Sequence, residues 1–161
     1  LLGGGTRIEG SFENLIDMRE EPLSCITVAG RAIRNRPGIL ADLSESLRGE
    51  EINIDAVASG MDSVTFYVDT DVSDRAEAAL HDEVVVGDGS LSSVSTEGDY
   101  AVIRVMGGEL PNRPGVVSSI VGPLADAGIN VHDIITSATS VAIFVSWDDR
   151  EEVLEIVQAE F

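Results

Sequence analysis

The spacing of apolar positions changes in the same order twice along this chain. From Cys25 to Arg31 (CITVAGR) β-forming residues alternate, the period of a half-buried strand. After Pro37 the apolar positions Ile39, Leu40, Leu43 and Leu47 recur at helical spacing. Pro37 is expected in the first turn of that helix, where its missing N–H costs nothing. The stretches INIDAVAS (52–59) and SVTFYVD (63–69) return to strand character and are separated by the turn-like Gly60-Met61-Asp62. SDRAEAALH (73–81) predicts a second helix with Ser73 as its N-cap. EVVV (83–86) and LSSVST (91–96) offer material for a closing strand. The predicted order is β-α-β-β-α-β, the split βαβ or ferredoxin-like unit.

Sliding the sequence against itself by 77 positions, the separation of Arg36 and Arg113, shows that the plan is duplicated without a gap. Ile26, Val28 and Gly30 meet Ile103, Val105 and Gly107; Leu47 meets Leu124; Ile52-Asn53-Ile54 meets Ile129-Asn130-Val131; Ser63-Val64 meets Ser140-Val141. The second copy reads as a strand (AVIRVMG), a helix (PGVVSSIVGPLADAG), two strands (INVHDIITS and SVAIFVSW) and a helix (DDREEVLEIVQ) with acidic residues in its first turn. Pro123 is expected to bend the first of these helices or break it near Gly122. The predicted fold class is therefore α+β, with two ferredoxin-like units in tandem: a first unit over 23–98 and a second over 99–161. The second copy has almost no sequence for its own last strand, which lies beyond this chain, comes from elsewhere in it, or is absent. Residues 1–22 belong to neither copy and read as a tether; VGDGSLSSVSTEGD (86–99) reads as a turn-rich connector.

The tetrapeptide Asn-Arg-Pro-Gly occurs at 35–38 and again at 112–115, each time where a strand hands over to a helix. Helix N-termini carry unpartnered N–H groups and a partial positive charge, so a carboxylate or phosphate can sit there if the backbone is approachable. Gly38 and Gly115 permit that approach, and Asn35 and Asn112 add side-chain donors and acceptors. Asn53 and Asn130 open the next strands and are candidates to face the same spot, a set that suits a ligand bearing both carboxylate and ammonium. The same letters also make an ordinary turn that needs no ligand, and both readings stay open here.

Composition narrows the function. Asp and Glu total 29 against 10 basic residues, every one of them Arg, for a net charge of -19. That charge excludes a phosphate-contacting nucleic-acid binder and an anionic-membrane binder. The absence of Lys with so many carboxylates points to a cytoplasm of molar salt, where a Debye length of about 3 Å screens self-repulsion. No apolar run approaches the roughly 20 residues of a membrane span, and no signal peptide is visible. The chain does not begin with Met and is expected to be a piece of a longer protein. A lone Cys25 excludes an intrachain disulfide and a Cys-rich metal site, and is expected to be a buried small hydrophobe.

Other chemistry is not supported. Gly3-Gly4-Gly5 and Gly107-Gly108 lack the Lys-Ser/Thr of a phosphate loop. His81 and His132 share no metal-ligand spacing with carboxylates. Asp148-Asp149 and Glu151-Glu152 read as a solvated helix face, and aromatics at 4% are too few for an RNA-binding sheet. Met61 and Met106 are expected to be packing residues, and Trp147 a candidate for a subunit contact. No catalytic or metal site is predicted.

A strand, then RPGIL, a helix and INID, resembles the ACT domain. Two such units, with INIDAVAS in the first and INVHDIITSATSVAIFV in the second, are similar to the C-terminal regulatory region of aspartate kinases over about 23–161, and GTRI (5–8) is a short match to the end of a kinase lobe. The resemblance implies an effector held between paired ACT units: an end-product amino acid, lysine or threonine, giving feedback control of aspartate-family synthesis that also leads to methionine. It implies effector contacts at Asn35, Gly38, Leu40, Asn53, Ile54, Asp55 and Ser59 in the first copy, and at Asn112, Gly115, Val117, Asn130, Val131 and Ser137 in the second. It implies a linked kinase domain as partner, with ATP and magnesium confined to that domain and no cofactor in this stretch, and a homodimer through the ACT units. Many relatives carry Asp where Asn35 and Asn112 stand, and some have Gln at Ser59 or Glu at Ala138. Asp55 aligns with His132, so the two pockets are expected to differ electrically, Asp55 suiting a cationic effector side chain. A purely structural dimerisation module and a sensor serving another enzyme are the alternatives.

Overall fold

The computed structural model describes residues 15–87, 89–107 and 114–161, with Ala32 and Asn35 described through their backbone alone. It divides into two compact units. One is Leu23–Gly98; the other is Asp99–Phe161 together with the segment before Leu23.

The first unit runs β2 (Leu23–Ala29), a short α1 (Ala32–Asn35), α2 (Ile39–Gly49), β3 (Ala56–Ser59), β4 (Ser63–Asp69), a single 3-10 turn (Thr70–Val72) and α3 (Ser73–Val86). It ends in the first part of β5 (Ser93–Met106). Its sheet order is β3-β4-β2-β5. β4 pairs antiparallel with both β2 and β3, so β2 and β3 run parallel to one another. β5 enters where Ser92 N–H donates to the Ala29 carbonyl at 2.8 Å. Gly98 is needed near the other end of β2: a Cβ there would stand 2.5 Å from Ser24 Oγ.

α2 forms because Ile39, Leu43 and Leu47 share its buried face. They meet Ile26, Val28, Val64, Phe66 and Val68 from the sheet and Ala76 and Leu80 from α3 in one apolar cluster. Each such Leu or Ile contributes roughly 1.5–3 kcal/mol by leaving water. Cys25 is buried, as its apolar strand predicts.

The second unit repeats the order with the last part of β5, α4 (Val116–Asp126), β6 (Val131–Thr136), β7 (Ser140–Ser146), a 3-10 turn (Trp147–Asp149) and α5 (Arg150–Glu160). β7 pairs antiparallel with β5 and β6. Its fourth strand comes before the first unit in the chain: β1 (Leu15–Met18) runs antiparallel to β5, Leu15 opposite Met106 and Met18 opposite Ile103. Ile16 and Met18 are buried in the cluster of Ile103, Val105, Ile120, Leu124, Val141 and Val157. In the first unit the closing strand is preceded by Leu91, which occupies the corresponding cluster. Strand-forming residues therefore lie inside the segment that reads as a tether.

Several local expectations are corrected. EVVV is the end of α3, which runs to Val86 before Gly87 closes it. The closing strand begins at Ser93, so the second half of the supposed connector is strand. Ser73 is the first residue of α3, its hydroxyl donating to the Thr70 carbonyl at 2.8 Å, while Val72 takes the cap position. Pro37 stays outside α2, which opens at Ile39. Pro123 lies inside α4, which runs on to Asp126, so the break near Gly122, one of the two expectations, does not occur. Met61 is 68% exposed and is no packing residue. Apart from these corrections, Trp147 is half-buried against its own unit's core, with Arg150 lying 4.1 Å over its ring. Among the described residues no helix is long and apolar enough to cross a membrane.

Candidate functional site

The two Pro-Gly corners have nearly the same geometry. Gly38 has φ 87 and ψ -5; Gly115 has φ 89 and ψ 0. These are the angles of the third residue of a type II turn, with Pro favoured just before. A side chain is disfavoured there by conformation, since a Cβ built on either glycine meets nothing within 4 Å. Each glycine is also an N-cap. Asp42 N–H donates to the Gly38 carbonyl and Ser119 N–H to that of Gly115, both at 2.9 Å, and neither helix has a side-chain cap. The amides of Ile39, Leu40 and Ala41, and those of Val116, Val117 and Ser118, precede the first intrahelical bond and form two uncapped anion-attracting ends. Leu40 and Val117, 46% and 44% exposed, flank these corners with apolar surface.

The expected residues divide into two groups within each unit. In the first, Ser59 pairs with Val64, which pairs with Val28 at the end of β2 that feeds the Gly38 corner. Asn53, Ile54 and Asp55 lie at the opposite end, where Ala56 pairs with Tyr67 and Tyr67 with Cys25. The 11-residue α2 separates the two ends by about 16 Å at 1.5 Å per residue. The expectation that Asn53 faces the same spot as Gly38 within one unit therefore fails. The same topology puts Ser137 at the Gly115 end of the second unit, and Asn130 and Val131 at the other. The side chain of Asn35, and Asn112 altogether, lie outside the described residues.

At the far end the units differ. Exposed Asn53 donates through Nδ2 to Asp55 Oδ1 at 3.3 Å, and Asp55 N–H donates to the Tyr67 carbonyl at 2.8 Å. Ile54 is half-buried against the first unit's core, as Val131 is against the second's. Asn130 is exposed. In the second unit the ladder is irregular between Val131 and Asp133, at His132, whose ring stacks on Tyr100 with centroids 4.1 Å apart. Such a bulge re-aims a side chain. Ser137 is engaged in its own turn, where its hydroxyl accepts from the Thr139 and Ser140 amides at 3.3 and 3.2 Å.

One pair near the Gly38 corner escaped the motif reading: Arg34 Nη2 lies 3.0 Å from Asp62 Oδ1. Its only trace in sequence is that the corresponding residues 77 further on, Pro111 and Thr139, carry no charge. The exposed His81 borders an open hollow on α3 with Asp74, Glu77 and Asp82, remote in sequence from either corner.

Two ACT-domain family models match, over residues 26–84 and 95–159. The chain is 24% identical, over 98% of its length, to an aspartokinase of Mycolicibacterium smegmatis, and spans 40% of that relative. In fold it is similar to the regulatory subunit of aspartate kinase from Thermus flavus, with TM-score 0.77 and 22% identity over 95% of this chain and 99% of that one. It is also similar to E. coli aspartokinase III in complex with lysine and aspartate, with TM-score 0.69 and 18% identity over 91% of this chain and 32% of that one. With two matches taking in most of its length, and a ferredoxin-like unit built twice, this chain belongs to the ACT-domain family.

Proposed function

We propose that this chain is the amino-acid-sensing regulatory region of an aspartate kinase. The observation that carries the reading is the pair of helices α2 and α4, each opening at a left-handed glycine with no side-chain cap. The likeness to aspartate kinase regulatory regions over most of the chain supports the choice of enzyme. The α-carboxylate of the effector meets the amides after Gly38 or Gly115, with Leu40 or Val117 against its apolar part; Asn35 and Asn112 are proposed as further polar contacts. Its other contacts are Asn53, Ile54 and Asp55, or Asn130 and Val131. A separation of about 16 Å exceeds the length of an amino acid, so one effector touches both groups only when another ACT unit supplies the second. Self-association into a homodimer meets that need.

Asp55 favours a cationic effector, and lysine is the first candidate; a structural relative is described in complex with lysine. Threonine is the second. Binding that favours one arrangement of ACT units biases a linked kinase domain, which holds the ATP and magnesium chemistry, by about 1–3 kcal/mol. The protein works in a high-salt cytoplasm.

Titration calorimetry in molar KCl with lysine, threonine and methionine tests the reading. Saturable heat, lost in Asn53→Ala or Asn130→Ala and weakened in Gly38→Ala or Gly115→Ala, is expected. No heat from any of the three sinks the sensor and leaves a scaffold that only dimerises.

A further inference from the structure

We infer that Asp62 is a positioning residue that clasps the helix-entry segment of the first unit and raises the effector affinity of the Gly38 corner. The inference rests on the sensing role proposed above. Asp62 holds the segment at two points. Its carbonyl accepts from Gly30 N–H at 2.8 Å, and its Oδ1 accepts from Arg34 Nη2 at 3.0 Å. Between them Ile33 N–H donates to the Gly30 carbonyl at 3.3 Å, closing the first turn of α1. The chain reaches Gly38 four residues after Arg34, so the clasp sets the path into the corner.

The second unit supplies an internal control. Its backbone tie is repeated, Gly107 N–H to the Thr139 carbonyl at 2.9 Å. The turn behind it is also repeated: Gly60 N–H to Ser63 O, and Ser137 N–H to Ser140 O, both at 2.8 Å. At the positions 77 further on from Arg34 and Asp62 the sequence has Pro111 and Thr139, which carry no charge. The backbone tie is thus common to both units, while the Arg34–Asp62 pair has no charged counterpart at the corresponding positions of the second.

The side chains are 49% and 58% exposed, so the pair is screened and its effect is modest. Asp62→Ala and Arg34→Gln should each weaken effector binding about threefold to fivefold. The double variant should be no weaker than either, and Arg34→Lys should recover most of the loss. Amide hydrogen exchange gives a readout that needs no effector: Gly30 and Ile33 should exchange faster in Asp62→Ala while Gly107 is unchanged. Unchanged exchange at Gly30 and Ile33 overturns the clasp whatever binds. Faster exchange with unaltered affinity, or additive losses in the double variant, overturns the positioning role. A wild-type chain that binds none of lysine, threonine and methionine sinks the sensing role and the positioning role with it, while exchange still decides the clasp.

Discussion

The two ACT units use the same core and close it differently. Ile26, Val28, Leu47, Val64 and Val68 of the first correspond to Ile103, Val105, Leu124, Val141 and Val145 of the second, and all ten are buried. The first unit is continuous from Leu23 to Gly98, its fourth strand following α3. The second takes its fourth strand, Leu15–Met18, from before the first unit begins. A ferredoxin-like sheet thus needs a strand beside its first strand and is indifferent to where in the chain that strand originates. The segment before Leu23 is thus a wall of the second unit's core, through Ile16 and Met18.

The largest expected effect tests that asymmetry. Ile16, 4% exposed, lies in the second unit's core. Ile16→Asp should destabilise that unit by on the order of 3–5 kcal/mol, since an unpaired charge would enter an apolar site. Native-state hydrogen exchange should show Val141, Ile143 and Val145 losing protection while Val64, Phe66 and Val68 keep theirs; loss in both units alike would break the comparison. Leu47→Ala and Leu124→Ala come next. Both leucines are fully buried, so urea unfolding should give a cost of about 2–5 kcal/mol for each, and similar values for the two. A gap of more than about 2 kcal/mol would mean that the cores are not equivalent.

A smaller effect lies just past the helix ends. Glu51 has φ 58 where the second unit has Gly128 at φ 76, and both close their helix through an N–H to the carbonyl three residues back, at 2.9 Å. Glu51→Gly should raise stability by about 1 kcal/mol, and Gly128→Ala should lower it by a similar amount, read from the thermal midpoint.

The smallest concerns Glu45 and Arg48, which have Gly122 and Ala125 as counterparts. The Arg48 guanidinium, hydrogen-bonded to Glu45, holds that carboxyl below its usual range and is itself raised. The stabilisation is present above the ordinary glutamate range and fades as pH falls through the lowered value. In Arg48→Gln an NMR titration should find Glu45 returned upward; an unmoved titration would show that the pair does not persist in solution.

Much of this was legible in the chain because duplication doubles every signal. The helical spacing of Ile39, Leu40, Leu43 and Leu47 marks the helix, three of the four on its buried face and Leu40 46% exposed, and the paired Pro-Gly names both corners. The errors share a physical cause. EVVV has β-forming side chains, yet it lies in the run of α3, whose helical bonds continue through it: tertiary context overrode propensity. Asn53 and Gly38 look like neighbours because each adjoins the same helix, but they adjoin opposite ends of it. Arg34 and Asp62, 28 positions apart, form no motif.

From sequence alone followed the duplicated β-α-β-β-α-β unit, the helical spacing after Pro37 and a Pro-Gly at each handover from strand to helix; the left-handed conformation of Gly38 and Gly115 came from the structure. The features legible in sequence are local matters of periodicity and backbone conformation, decided within a few residues. The tertiary structure alone decided that Leu15–Met18 completes the second sheet, that each proposed site is split between two ends of a helix, and that Asp62 reaches Arg34. Those are pairings between distant segments, and they depend on which strand edges remain unfilled once each core has closed.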